Sequence, residues 1–189
     1  MESLTLVKLE PLNLHWINES DDNAEDLCVH GNVVFGVDDV IFVDPSHGDL
    51  TLSASGLFLL RTLELPHSVD APVSEDNQLF PHCGFTVWPA EVFKGESSFS
   101  VVIPGCDRGV DLRIGRSPGI VTVSDYSGRA RTCSESDWRS AVLGFAQRIE
   151  DLYDSSPKRA EPPDELAQIG WNAFWAEWRS RKAEFAAPG

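Results

Sequence analysis

Ser134-Glu-Ser-Asp137-Trp138-Arg-Ser-Ala-Val142-Leu-Gly-Phe145-Ala-Gln-Arg-Ile149-Glu-Asp-Leu152 is the stretch on which the fold turns. A serine followed three residues later by an acid has the spacing that opens a helix. Trp138, Val142, Phe145, Ile149 and Leu152 then recur at i, i+4, i+7, i+11 and i+14, a single apolar stripe. Gly144 inside this helix costs about 1 kcal/mol relative to alanine, which leads us to expect a close approach of another element there. The three prolines between Ser155 and Pro163 end the helix. A second helix is predicted from near Asp164, with Asp164 and Glu165 suited to its positive end and Arg179, Arg181 and Lys182 to the other. Trp171, Phe174, Trp175 and Trp178 lie at i, i+3, i+4 and i+7 of it and are expected to pack on a sheet and on the preceding helix.

Upstream the period changes from helical to alternating. Leu4, Leu6 and Leu9, then Leu12, Leu14 and Trp16 beyond Pro11, predict two short strands or one broken by proline. Cys28 to Val37 and Val40 to Val43 read as a hairpin closed by Asp38-Asp39, followed by a turn over Asp44 to Asp49. Between Ser53 and Leu63 the pattern reads both ways; Leu57, Phe58, Leu59, Leu60 and Leu63 after Gly56 suit a buried helix, and a helix near 53–63 is the expectation. Residues 64–82, with Pro66, Pro72 and Pro81, read as an irregular connection and the place for any internal boundary. Phe85 to Trp88, Phe99 to Ile103, Val110 to Ile114, Ile120 to Ser124 and Arg129 to Cys133 predict an antiparallel meander. The expected fold is therefore α+β, one domain over 1–189, in which antiparallel strands are packed by two C-terminal helices.

The chain has 189 residues, 42% hydrophobic, with 15 basic and 30 acidic side chains and a net charge of -15. Such a chain can bury roughly 70% of its unfolded surface without staples. An acidic balance argues against binding nucleic acid or an anionic membrane, since both need a basic face. The first sixteen residues lack the pattern of a secretory signal, and no apolar run of membrane-spanning length occurs; together with scattered cysteines this predicts a cytoplasmic protein. Charge divides unevenly: residues 1–100 hold 3 basic and 17 acidic side chains (3 − 17 = −14), and residues 101–189 hold 12 and 13 (12 − 13 = −1). Glu19, Asp21, Asp22, Glu25 and Asp26 crowd into one run, with no Lys or Arg between residues 9 and 60. Such a run is ordinarily a solvated loop. It is also a surface that steers a basic partner, to which Asp38 and Asp39 would add if the hairpin turn lies on the same side.

Chemical motifs are weak by contrast. Gly115-Arg116-Ser117-Pro118-Gly119 matches the G-x-S-x-G pattern of a nucleophile elbow, but a strand follows it and the last histidine is His82, so it reads as a hairpin turn. Cys28, His30, His82, Cys83 and Cys106 could converge on zinc only without the usual paired spacings, so neither a metal nor a cofactor is expected. No nucleophile, base or carboxylate pair is singled out by spacing, and no catalytic residue is assigned.

Trp138-Arg-Ser-Ala-Val-Leu-Gly-Phe-Ala146 followed by Gly170-Trp-Asn-Ala-Phe-Trp-Ala-Glu-Trp178 resembles small acidic bacterial immunity proteins of polymorphic toxin systems. That resemblance implies a non-enzymatic cytoplasmic inhibitor that binds one toxin domain with a basic surface and brings no fixed contact residues with it. The expected interface is Glu19, Asp21, Asp22, Glu25, Asp26, Asp38 and Asp39. A regulatory or scaffold module with another basic partner, and an enzyme whose site the sequence does not mark, remain as alternatives.

Overall fold

The structure, a computed structural model, describes residues 6–17, 23–74, 78–82, 86–94, 98–106 and 108–186. Its first sheet is built around β2 (His30–Val37), which β1 (Val7–His15) flanks on one edge and β3 (Val40–Val43) and β4 (Leu50–Thr51) share on the other, all antiparallel. Pro11 does not break β1. It pairs in register with Val33, and an edge strand tolerates a residue without an N–H; the ladder shifts instead between Leu12 and His15, where Asn13 takes a positive φ of 51°. The β2–β3 connection turns at Asp38, whose φ of 52° is one that aspartate accepts more readily than most residues.

α1 (Leu52–Arg61) follows β4 directly and is buried around its whole circumference, as its unbroken apolar run predicts. It is the centre of the molecule, touching the first sheet and both C-terminal helices. Gly56 faces Trp178 so closely that an added Cβ would lie 2.4 Å from the indole. At the end of α1 the fully buried Arg61 donates to Glu177 Oε1 (2.8 Å) and Oε2 (3.0 Å), and to the carbonyls of Val73 (2.8 Å) and Val101 (3.0 Å). Glu177 also accepts from Ser100 N and Arg181 Nε, both at 2.9 Å. Burial alone would raise the Glu177 carboxyl, but the bonds from Arg61 and Arg181 outweigh it and hold the group below its ordinary range.

The expected five-stranded meander is only partly present. β9 (Arg113–Ser117), β10 (Ile120–Ser124) and β11 (Ala130–Ser134) form it, in register Val121↔Arg116 and Val121↔Cys133. Before them β5 (Phe80–Pro81) pairs only with β8 (Gly109–Val110), and β6 (Trp88–Pro89) only with β7 (Val101–Val102); a short helix, α2 (Ala90–Lys94), intervenes where none was predicted. Prolines at 81 and 89 remove ladder donors, and the Arg61 and Glu177 side chains take backbone groups that neighbouring strands would otherwise use. Within the described parts of this connection, 64–74 and 78–82, His67 exchanges two 2.9 Å backbone bonds with Ile114, and Val73, Leu79 and Phe80 join one core cluster that runs from Leu9 to Trp178.

α3 (Glu135–Ser155) starts where its cap predicts, Ser134 Oγ accepting from Asp137 N at 3.0 Å, and buries Trp138, Val142, Phe145 and Ile149. Gly144 is a correction: it is exposed with nothing near it, whereas the close approach falls at Gly56 and at Gly170, where a Cβ would lie 2.1 Å from the Val87 carbonyl oxygen. α4 (Glu165–Ala186) is capped by Asp164, which accepts from Ala167 N at 2.8 Å. The result is an α+β fold of antiparallel sheets and two long C-terminal helices. Among the described residues, no helix is long and apolar enough to cross a membrane.

Candidate functional site

The structure does not gather the seven predicted interface carboxylates onto one face. Glu19, Asp21 and Asp22 lie outside the described residues. Glu25 and Asp26 sit at the end of the first sheet where β1 finishes and β2 begins, while Asp38 and Asp39 close the opposite end of β2, roughly 25 Å away at about 3.3 Å per residue. The condition for the hairpin turn to join the acidic run is therefore not met. Asp26 serves the scaffold, accepting from Ile17 N (2.5 Å) and Cys28 N (3.1 Å), as does Asp38, which accepts from Leu6 N (3.0 Å). Asp39 is bonded by Arg131 through Nε (2.9 Å) and Nη2 (2.8 Å), a contact that holds its carboxyl below the usual range. Glu25 is exposed and has no such bond among the described residues.

Residues 23–27 are strapped to the connection between α3 and α4. Ala160 N donates to the Ala24 carbonyl (2.7 Å), Arg159 Nη1 to the Asn23 carbonyl (3.3 Å) and the Tyr153 hydroxyl to the Leu27 carbonyl (2.6 Å). Nearby, Trp16 Nε1 donates to Ser156 Oγ (3.0 Å), and the Arg159 guanidinium lies 4.0 Å from the Trp16 ring centroid. Burial pushes the Tyr153 phenol well above its ordinary value, so it remains a neutral donor.

Beside this strap α3 and α4 frame an open groove of about 620 Å³. Its aromatic wall is Tyr153, Trp171 and Trp175, which meet edge to face: Tyr153 and Trp175 at 4.8 Å and 89°, Trp171 and Trp175 at 5.6 Å and 86°. Asp154, Lys158, Glu161 and Arg179 stand exposed on its rim, with Arg179 5.6 Å from the Trp175 centroid. Charges of both signs around a ring wall give the groove a chemistry that interfaces favour, since Trp, Tyr and Arg dominate interface energetics and paired rim charges set orientation.

Trp171 and Trp175 were expected in the core with Phe174 and Trp178, and only the latter pair is fully buried; Trp171 and Trp175 are half-buried. The buried stripe of α4 is Gly170, Phe174, Glu177 and Trp178, which at about 100° per residue is rotated away from the aromatic one. Gly170 was the available signal, because a residue without a side chain marks the face that another backbone approaches. Tyr153, Lys158 and Arg159 were not singled out in the sequence. They gain meaning only once residues 23–27 and 153–160 are seen to touch.

The remaining chemical candidates are dispersed. Cys28 is buried and its Sγ donates to the Val29 carbonyl (3.4 Å), and burial pushes its thiol up; Cys133 is likewise raised, to about 11, first by burial and then by Asp137 and Asp38. Thiols so displaced are poor nucleophiles at neutral pH. Cys106 is the third free thiol among the described residues, and Cys83 lies outside them. Among the described residues no three His, Cys, Asp or Glu side chains come together as a metal-holding group. The Gly115–Gly119 stretch is the β9–β10 hairpin, turning at Gly119 with φ 76°. No protein-family model, curated protein or solved structure matches this chain.

Proposed function

We propose that this chain is a cytoplasmic protein-binding inhibitor of the immunity type, which engages a toxin domain bearing a basic surface through the aromatic groove and the acidic segment beside it. The observation that carries this reading is the strap: three backbone carbonyls of residues 23–27 are bonded by Tyr153, Arg159 and Ala160, and two of these, Tyr153 and Arg159, also line the groove, so the segment that carries exposed Glu25 borders it. The net charge of -15 supplies long-range attraction to a cationic partner, and the rings supply the short-range anchor. Steering charges act chiefly on association, whereas a buried aromatic anchor acts on dissociation.

The test is co-expression with the toxin domain encoded beside its gene, scored by restored growth, followed by binding kinetics of the purified pair. Trp175→Ala is expected to accelerate dissociation by about 30-fold or more, the hot-spot range. Glu25→Lys is expected to slow association at low salt and to change it little at high salt. Asp26 is the wrong position for that measurement, since its carboxylate holds Ile17 and Cys28. A toxin that binds both variants with unchanged rates would overturn the assignment of the surface, and a toxin that does not bind would overturn the function.

A further inference from the structure

The charged residues that line the groove between α3 and α4 divide by what they touch. Two belong to the scaffold. The Glu150 carboxylate accepts from Trp178 Nε1 (2.5 Å) and from Lys182 Nζ, and the Arg159 guanidinium donates to the carbonyls of Pro157 and Asn23. The other four, Asp154, Lys158, Glu161 and Arg179, are exposed and make no hydrogen bond or ion pair among the described residues, although Arg179 lies against the Trp175 ring. There are two of each sign, so the free charges of the groove cancel in a chain whose net charge is -15. The indole N–H groups make a second distinction. Trp16 donates to Ser156 Oγ (3.0 Å), Trp138 to Thr62 Oγ1 (3.2 Å) and Trp178 to Glu150. Trp175 Nε1 has no acceptor among the described residues, yet its ring is half-buried in the groove wall. A donor so placed is satisfied by an oxygen from outside the chain.

We propose that the groove receives a segment of the partner carrying both signs of charge: a cation set against Asp154 and Glu161, a carboxylate set against Lys158 and Arg179, and an oxygen that accepts from Trp175 Nε1. The inference rests on the reading of this groove as the docking surface and narrows what docks there. While the groove is open, water solvates all four charges. A partner that covers them removes this water, and a charge that loses it without gaining a counter-charge opposes binding. A wholly basic segment would match the two carboxylates but press like charges onto Lys158 and Arg179, and a wholly acidic segment would do the reverse. An uncharged segment would match none of them. Steering and fitting are therefore separate selections. The charge of the whole chain draws a basic domain from a distance, whereas the locally neutral groove accepts that part of its surface where a cation and a carboxylate lie close together.

The test is binding kinetics of the full chain with the purified toxin domain encoded beside its gene, at low salt. Asp154→Asn and Arg179→Gln each remove one charge and keep the shape, and since neither side chain bonds another element both variants should stay folded. Each is expected to accelerate dissociation by about tenfold, between what an exposed and a desolvated charge pair contributes. Double-mutant cycles against charged residues of the domain should couple Asp154 to a cation and Arg179 to a carboxylate. Acceleration in Asp154→Asn alone would mean a wholly basic occupant, in Arg179→Gln alone a wholly acidic one, and in neither an uncharged one; each of these results overturns the proposal. Trp175→Ala separates that failure from failure of the wider reading. If it accelerates dissociation while the charge variants give any of those three results, the groove is the docking surface and only the mixed-charge occupant is wrong. If Trp175→Ala leaves the rates unchanged, or the domain does not bind, the assignment of the surface or of the function falls and the proposal falls with it.

Discussion

The two sides of α4 have similar aromatic content and opposite fates. On one side Phe174 and Trp178 are fully enclosed, Gly170 lets the Val87 backbone approach, and Glu177 closes the layer by pairing with Arg61. On the other, Trp171 and Trp175 contact one another and Tyr153 but leave a groove against solvent. What separates them is the neighbour rather than the residue type. The enclosed side meets α1, buried all round, whereas the open side faces the polar connection 156–163 and the end of α3. An aromatic stripe therefore marks material for a core or for an anchor, and the facing element decides which.

The contrast can be broken most forcefully at the buried ion pair. Glu177→Ala leaves Arg61 charged, enclosed and unmatched, and should cost about 3–5 kcal/mol in chemical denaturation. Because the Glu177 carboxyl is held below its ordinary 4.5, its stabilisation is fully present above that value and is lost as pH falls through the lower folded value. Glu177→Gln should therefore flatten part of the acid limb of the stability curve; an unaltered limb would mean the pair contributes nothing that depends on charge.

Next in size is the comparison of two tryptophans on one helix. Trp178→Ala should cost about 3–5 kcal/mol as a core truncation, while Trp175→Ala should cost less than half of that and leave a folded protein. Equal losses in the two variants, measured by thermal or urea unfolding, would show that the groove side belongs to the core after all. The smallest effects come from glycines. Gly56→Ala drives a methyl into the Trp178 ring and should lose about 1–3 kcal/mol. Gly144→Ala, on an exposed helical face, should gain up to about 1 kcal/mol; a loss there would indicate a neighbour that the fold does not show.

How much of this was legible depended on range. The cap at Ser134, the stripe of α3, the Asp38-Asp39 hairpin and the buried run of α1 are written in residues a few positions apart, and each is observed. The strands expected over 99–103 and 110–114 are shortened or interrupted, and at the first of them the Val101 carbonyl and the Ser100 N–H are taken by the side chains of Arg61 and Glu177, 40 and 77 residues away. The acidic run carried charge density but not its division of labour: nothing local says that Asp26 caps its own loop and Asp39 reaches Arg131 while Glu25 faces water. The groove was hidden for the same reason, since Tyr153, one of its three wall rings, bonds the Leu27 carbonyl 126 residues away.

Those long contacts have a consequence for synthesis. Trp16 and residues 24 to 27 are made early, yet the atoms that hold them, on Tyr153, Ser156 and Ala160, leave the ribosome well over a hundred residues later. Until then residues 24 to 27 lack the bonds that hold them, and the groove walled by Tyr153, Trp171 and Trp175 does not exist on the nascent chain. The strap and the groove therefore exist only on a chain completed at least through α4, whatever strands a truncated product forms.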